Sequence, residues 1–334
     1  MVSAVIFVAT SCVSPLTGFA FWETNLAYEG ESIYNYLQVK NLSDRTILST
    51  NVLFGVQSVT MKDKGLTGMY YDTALAAPAL ADNANSALIL GMGTGTYARQ
   101  LKQYYPKMNI TGVEIDQKIT DLAGEYFDEP ADIPVTTYDG RAWLAASHDK
   151  YDVIMVDAYQ DITIPFQMSS TEFFTMVREY LNPGGVMVVN MNMISDGQGS
   201  INEALSDTIA SVFGNGNTLT ADVPNTTNRE LFAKKPGSGS EENSMQQASK
   251  ALNLRETTYE RTGSEDLEWY MEEVASRFRK VNEPDSASTI LTDDKAPVEV
   301  LGMHAIDQII ADEAGPYRQI LKDEGFGGLL RAVQ

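Results

Sequence analysis

The stretch Ala87–Thr96, ALILGMGTGT, constrains the fold of this chain more than any other. Its apolar half, Ala87–Leu90, is typical of a parallel strand buried on both faces, and it leads into Gly91, Gly93 and Gly95. A helical pattern of apolar residues follows at once. A strand, a glycine turn and a helix start place backbone N–H groups against an electron-rich ligand. The glycines alone leave open a tight turn without a ligand.

Acidic residues at the ends of later strands favour the ligand site. Three of them lie at or just after predicted strands: Glu114 in Asn109–Asp116, Asp139 after Val135–Tyr138 and Asp157 after Tyr151–Val156. An acid in the position of Glu114, 23 residues after Gly91, takes the ribose hydroxyls of a nucleoside in doubly wound sheets. Because ligands of open α/β sheets bind outside the carboxyl ends of the strands, we expect these acids to share one crevice.

The glycine spacing indicates which nucleoside is bound. A dinucleotide fingerprint requires its third glycine at position 96, and this chain has Thr96 there. The G-x-G-x-G pattern therefore favours a ligand of the S-adenosylmethionine type over NAD.

Charge and residue usage exclude several classes of function. A formal net charge of −21 and a pI near 4.4 argue against a nucleic-acid substrate, which needs clustered Lys and Arg, and favour a cationic or small neutral one. Cys12 is the single cysteine and His148 and His304 are the two histidines, so we expect neither a disulfide framework nor a Cys/His zinc site, and no metal. The chain also has no G-x-S-x-G motif.

The first 22 residues form a hydrophobic segment. Residues 2–22 carry no charge, and the stretch is long enough to cross a bilayer. Pro15 and several Ser and Thr residues weaken that interpretation, and the basic start of a signal peptide is missing. The sequence leaves open a membrane helix, which would be the last span of a longer protein, and a buried or disordered leader.

The sequence pattern divides the chain into four segments. They are the hydrophobic segment 1–22, an antiparallel β domain at 31–66, a Rossmann-like nucleoside-binding domain at 68–235, and a linker with a helical region at 236–334. The alternation from Ile33 to Val39 predicts the β domain, and Gly68–Leu80 is predicted as a helix. The long loop Ala158–Ser170 is predicted to act as a lid, with Ser169 or Ser170 capping the next helix.

These motifs resemble the spermidine/spermine synthase family, the polyamine aminopropyltransferases, over Glu31 to Lys235, with a weaker echo at Thr292–Glu299. The chain is most similar to bacterial spermidine synthase-like proteins whose catalytic domain follows membrane spans. The resemblance implies a Rossmann-like class I S-adenosylmethionine-dependent transferase fold with a small N-terminal antiparallel β domain. It also implies a homo-oligomer and a cytoplasmic catalytic domain, with residues 2–22 as an anchor.

Site residues are carried over from the family motifs. The resemblance implies that Asp157 is catalytic and that Tyr70, Asp72, Tyr159 and Asp161 bind the amine substrate. The implied nucleoside-binding residues are Gln57, Gly91, Gly93, Thr94, Gly95, Glu114, Ile115, Asp139, Gly140 and Asp157.

Two departures from the family pattern bear on the substrate. Thr94 stands where the family has an Asp that holds the amine of decarboxylated S-adenosylmethionine, and the second acid of the Asp157 loop, Asp161, comes one residue late. A carboxylate at position 94 would repel the carboxylate of intact S-adenosylmethionine by about 4 kcal/mol at 4 Å and an effective dielectric of 20. We therefore hypothesise that this chain accepts S-adenosylmethionine itself, which leaves open a reaction other than spermidine synthesis.

The resemblance predicts transfer of an aminopropyl group from decarboxylated S-adenosylmethionine, or of a related group from S-adenosylmethionine, to an amine such as putrescine. Two alternatives stay open at this point. A methyltransferase of the same fold would keep the glycines, Glu114 and Asp139 without an acidic amine pocket, and a non-catalytic module would bind the nucleoside only.

Overall fold

A computed structural model of the chain describes residues 23–51, 56–63, 65–128, 130–159, 164–192, 199–237, 254–286, 288–303 and 322. The predicted hydrophobic segment 1–22, most of the linker and the helices expected after residue 304 lie outside these residues. Within the described part of the chain, no helix is both long enough and apolar enough to cross a membrane.

A four-stranded antiparallel sheet comes first, in the order β1-β2-β3-β4. Its strands are β1 Leu26–Glu31, β2 Tyr36–Asn41, β3 Arg45–Thr50 and β4 Ser58–Met61. Leu37 and Val39 are buried as the alternating pattern predicts, but Ile33 is 90% exposed because it lies in the turn between β1 and β2. The buried face of this sheet therefore begins at Leu37 and not at Ile33, where the alternating pattern of the sequence begins.

The central sheet has eight strands in the order β12-β10-β11-β9-β8-β5-β6-β7. They are β5 Ser86–Leu90, β6 Asn109–Glu114, β7 Val135–Thr137, β8 Tyr151–Val156, β9 Leu181–Asn192, β10 Thr218–Asp222, β11 Asn228–Lys234 and β12 Arg279–Lys280. Strands β5 to β9 pair in parallel, and β11 joins β9 antiparallel. The strand order reverses between β5 and β8, since the chain runs from β5 to β6 and β7 on one side and returns to β8 on the other, and ligands of such sheets bind at this point.

Nine helices are bounded within the described residues. They are α1 Tyr70–Ala74, α2 Ala76–Leu80, α3 Thr96–Tyr104, α4 Gln117–Tyr126, α5 Gly140–Ala146, α6 Thr171–Tyr180, α7 Ile201–Phe213, α8 Leu254–Thr262 and α9 Glu265–Ser276. The single helix predicted over Gly68–Leu80 is two short ones that meet at Leu75. Ser170 caps α6 as predicted, since its hydroxyl accepts the Phe173 N–H at 3.2 Å.

Both faces of the central sheet are covered. Ala87 and Ile89 face one apolar core, shared with α1 to α3, α8 and α9, while Leu88 and Leu90 face a second core with α5 to α7. A strand between two cores has no solvated face, which explains its unbroken apolar sequence. A third cluster joins Leu37 of the small sheet to Leu122 of α4, so this sheet lies beside the carboxyl ends of the central strands.

Candidate active site

A cavity of about 250 Å³ opens at the carboxyl ends of β5, β6 and β8. The central sheet supplies its floor, and the small sheet supplies one wall through Gln57 and Ser58. Of the predicted site residues, the cavity is lined by Gln57, Tyr70, Gly91, Gly93, Glu114, Ile115, Asp139, Gly140, Asp157 and Tyr159. Residues from distant parts of the sequence therefore meet in one pocket of nucleoside size.

The glycine loop owes its sequence to a close backbone approach. Gly91 and Gly93 have φ values of 92° and 55°, in the left-handed region that favours glycine. A Cβ on Gly91 would lie 2.3 Å from the carbonyl oxygen of Asp157. Glycine at position 91 therefore lets the end of β5 lie directly against the end of β8 and brings the loop to Asp157.

Glu114 holds the loop in place. Its Oε2 accepts the Gly93 N–H at 2.7 Å and its Oε1 accepts the Asp116 N–H at 3.0 Å. Burial raises the pKa of this carboxyl, while the backbone N–H donors act in the opposite direction. Each carboxylate oxygen has a second lone pair, so Glu114 can still accept hydrogen bonds from a ribose diol.

Asp157 lies directly after β8 and is held by two side-chain donors. The Tyr70 hydroxyl donates to its Oδ2 at 2.5 Å, and Asn190 Nδ2 donates to its Oδ1 at 2.9 Å. Desolvation raises the pKa of Asp157 to about 7, and the two hydrogen bonds oppose that rise. A carboxyl group that titrates near neutral pH in a cavity is suited to exchanging protons with a substrate.

Asp139 is the residue directly before α5 and also lines the cavity. Its carboxylate accepts the Ala142 N–H at 2.7 Å and caps the helix. Asp139, Gly140 and the neighbouring Tyr138 all line the cavity. The helix cap and the predicted binding role are therefore compatible, because the cap uses only one of the two carboxylate oxygens.

The described part of the predicted lid forms the rim of the cavity. The Tyr159 hydroxyl donates to the carbonyl oxygen of Asn190. Arg141 donates to the Gln167 carbonyl at 2.8 Å and forms an ion pair with Asp293 at 2.6 Å, which fixes the later half of the rim. Asp161, predicted to bind the amine, lies outside the described residues.

Asp72 does not lie at the cavity, contrary to the role predicted for it. It is 0% exposed and accepts hydrogen bonds from Thr67 N, Thr67 Oγ1, Gly68 N and Gln100 Nε2 at 2.5 to 2.9 Å. Both carboxylate oxygens are therefore engaged. They bind the segment that precedes α1 on one side and helix α3 on the other. The neighbouring tyrosines of α1, Tyr70 and Tyr71, line the cavity instead.

Thr94 and Gly95 also lie off the cavity lining. Thr94 is 1% exposed, and its hydroxyl is 3.4 Å from that of Thr96, which donates to the Val59 carbonyl. The Thr94 side chain thus lies beside Thr96, which is bonded to the small sheet. In this geometry it is the backbone of the loop that faces the cavity.

Several residues at the site were missed by the sequence reasoning. Tyr71 and Ser58 line the cavity, and Asn190 binds Asp157. Asn190 directly follows an apolar run in β9, just as Asp157 directly follows the apolar strand β8. This shared pattern could have identified Asn190 as a site residue from the sequence. Glu230, 0% exposed in β11, carried a weaker signal as an acid directly before the apolar run Leu231–Ala233.

Comparisons with known proteins agree with this geometry. Residues 69–235 match the sequence model of the spermine/spermidine synthase domain. The chain is 99% identical over 334 residues to a probable polyamine aminopropyl transferase of Bifidobacterium longum (strain NCC 2705), a match that covers 100% of this chain and 75% of that relative. It is 28% identical over 209 residues to a polyamine aminopropyltransferase of Vibrio vulnificus (strain CMCP6), covering 60% of this chain and 69% of that one.

A solved structure has the same fold. It is a probable spermidine synthase from Corynebacterium glutamicum, with a TM-score of 0.55 and 20% sequence identity over 80% of this chain and 99% of the other. The matches confirm the predicted class I transferase fold and the predicted family. By its sequence, this chain belongs to the spermine/spermidine synthase family.

Proposed function

We propose that this protein is a polyamine aminopropyltransferase. It moves the aminopropyl group of decarboxylated S-adenosylmethionine to a nitrogen of an amine such as putrescine and releases methylthioadenosine. The observation that carries this proposal is the position of Asp157, a carboxyl group with a pKa of about 7 held by Tyr70 and Asn190 next to the glycine loop.

Donor binding is assigned to the loop and Glu114. Glu114 presents acceptor lone pairs beside the loop, as recognition of a ribose diol requires. The sulfonium and the acceptor ammonium are both cations, and the acidic side chains Glu114, Asp139 and Asp157 line the cavity they would share. This charge balance favours two cationic substrates over an anionic one.

The acceptor amine must lose a proton before it can attack. An alkylammonium has a pKa near 10.4, so its neutral form costs about 4 to 5 kcal/mol at pH 7. Transfer of that proton to an ordinary Asp would cost about 9 kcal/mol, whereas transfer to a carboxylate with a pKa of about 7 costs roughly 5 kcal/mol. The burial of Asp157 thus brings its proton affinity closer to that of the amine.

The transfer itself is an in-line displacement. The nitrogen lone pair forms the new C–N bond, the C–S bond breaks, and its electron pair stays on sulfur as methylthioadenosine leaves. The one proton that the ammonium loses before the attack goes to Asp157, and the new secondary nitrogen keeps its two remaining protons as an ammonium. The roles of Asp157 here are to bind and orient the amine and to accept its proton, while Tyr70 and Asn190 fix the direction of the carboxylate.

The identity of the donor depends on position 94. The hypothesis that intact S-adenosylmethionine is accepted rests on the missing carboxylate at Thr94, and the inward turn of that side chain leaves the loop backbone to meet the donor. Calorimetric titration with both sulfonium compounds tests it. A strong preference for the decarboxylated form would end the hypothesis.

Product analysis tests the function as a whole. Incubation with decarboxylated S-adenosylmethionine and 1,4-diaminobutane is expected to yield methylthioadenosine and spermidine in equal amounts. Asp157→Asn is expected to abolish turnover and to keep most of the affinity for methylthioadenosine. S-adenosylhomocysteine formed from S-adenosylmethionine would instead indicate methyl transfer, and absence of any product would indicate a binding module.

A further inference from the structure

Glu230 is a buried acid that the mechanism above does not use. It is 0% exposed, and neither of its carboxylate oxygens has a hydrogen-bond partner among the residues that the structure describes. Glutamates are almost never fully buried unless they are paired, because burial without hydrogen bonds is costly. Such a group, close to a cavity, indicates a ligand that completes it.

The strand register places Glu230 in one row with Asp157. Asn190 in β9 pairs directly with Glu230 in β11, and its Nδ2 donates to Asp157 Oδ1 at 2.9 Å. Met155 and Val188 lie two residues before Asp157 and Asn190, and Phe232 lies two residues after Glu230 in the antiparallel strand. All three belong to the same core, so the three polar side chains project from the same face of the sheet. With strands about 4.8 Å apart, the Cα atoms of Asp157 and Glu230 are separated by about 10 Å.

Two tyrosines of the cavity wall lie close to Glu230. Tyr71 and Tyr97 line the cavity, and the charge of Glu230 contributes to raising the pKa of both phenols. The charge of Asp157 in turn contributes to raising the pKa of Glu230. Glu230 therefore lies close to the cavity wall, in the same row of side chains as Asp157.

We infer that Glu230 is the second carboxylate of the acceptor site and pairs with the distal ammonium of a linear diamine whose reacting nitrogen lies at Asp157. The inference rests on the proposed function and extends it to the choice of acceptor. The nitrogens of a four-carbon diamine are about 6 Å apart, and an ion-pair distance of about 3 Å at each end gives a span of about 12 Å. This span is comparable to the separation of the two strand positions.

The first test compares a diamine with a monoamine. Glu230→Gln keeps the shape of the side chain and removes its charge, so KM for 1,4-diaminobutane is expected to rise at least tenfold while kcat/KM for 1-aminobutane changes less than twofold. Glu260→Gln, the same change at an exposed position of α8, serves as the control and is expected to alter neither. Equal losses with both amines, or an unchanged preference for the diamine, would overturn the inference.

A second variant separates a binding role from a structural one. Glu230→Asp keeps the charge and moves it back by one methylene, so the ratio of kcat/KM for 1,5-diaminopentane to that for 1,4-diaminobutane is expected to rise severalfold. A residue with only a packing role would leave this ratio unchanged, and that result would count against the inference.

Binding provides a measurement that does not depend on turnover. If the wild-type protein forms no methylthioadenosine with any amine, the proposed function fails, and Glu230 is then judged by thermal shift. The inference predicts that 1,4-diaminobutane stabilises the wild-type protein and Glu260→Gln but not Glu230→Gln. Equal stabilisation of all three, or of none, would contradict it.

Discussion

The hydroxyl of Tyr70 donates a hydrogen bond of 2.5 Å to Asp157 Oδ2, across 87 positions of the sequence. This bond joins the start of α1 to the end of β8 and favours the charged form of the carboxyl group. The reactivity of Asp157 thus depends on a residue that the central sheet does not supply.

Tyr70→Phe is expected to lower kcat/KM at pH 7 by roughly tenfold, in line with the loss of one hydrogen bond to a charged group. Without this donor the pKa of Asp157 rises further above about 7, so the pH profile of kcat/KM shifts to the alkaline side and part of the activity returns at higher pH. The measurement is the pH dependence of methylthioadenosine release.

Tyr105→Phe is the matched control. Tyr105 is also a buried tyrosine, but its hydroxyl has no hydrogen-bond partner in the described part of the chain. Its removal should leave the pH profile in place and leave stability unchanged or slightly higher. If Tyr70→Phe also left the profile in place, the Tyr70 hydroxyl would not control the charge of Asp157.

Diamine affinity is expected to depend on pH through Asp157. The group is mostly neutral at pH 6 and mostly charged at pH 8, because its pKa is about 7. Only the charged form attracts an ammonium, so affinity for 1,4-diaminobutane should rise about tenfold over this interval. Calorimetry at several pH values measures it.

Asp157→Asn isolates this contribution. Glu114 and Glu230, whose pKa values burial also raises, are still present in the variant, so the difference between its profile and that of the wild type reports on Asp157 alone. The variant should bind the diamine weakly at every pH. A variant profile as steep as that of the wild type would assign the pH dependence to another group.

The strand ends and the residues that follow them could be predicted from the sequence for a simple reason. In a parallel sheet buried on both faces, each strand is an apolar run, so a glycine or an acid such as Gly91 or Asp157 marks the point where the chain leaves the core. The fold class follows from this pattern and the family from the resemblance of the motifs at the strand ends, and the comparisons confirm both.

The direction of individual side chains was not readable in this way. Asp72 and Tyr70 are two residues apart on a short helix, and only the packing of that helix decides that the acid binds Gln100 while the phenol reaches Asp157. The row that includes Asn190 and Glu230 depends on the register of an antiparallel strand, which local sequence does not determine.

Glu114→Gln tests the assignment of donor binding. Both carboxylate oxygens face backbone N–H donors, at 2.7 Å from Gly93 and 3.0 Å from Asp116, and an amide can accept only one of these bonds. The loop should therefore distort, and affinity for methylthioadenosine should fall roughly 10- to 100-fold. Calorimetric titration of the variant and of the wild type with methylthioadenosine measures this loss, and equal affinities would contradict the assignment.

Asp72→Asn distinguishes a structural acid from a binding one. Four donor groups converge on the Asp72 carboxylate, and an amide in its place turns one acceptor into a donor that faces a backbone or side-chain N–H. We expect a loss of about 2 to 4 kcal/mol in the free energy of unfolding, measured by urea denaturation. The folded variant should keep KM for the amine within about twofold, because Asp72 does not line the cavity. Asp149→Asn, the same change on the exposed surface, should alter stability by less than about 0.5 kcal/mol. A large increase in KM with unchanged stability would return Asp72 to the substrate site.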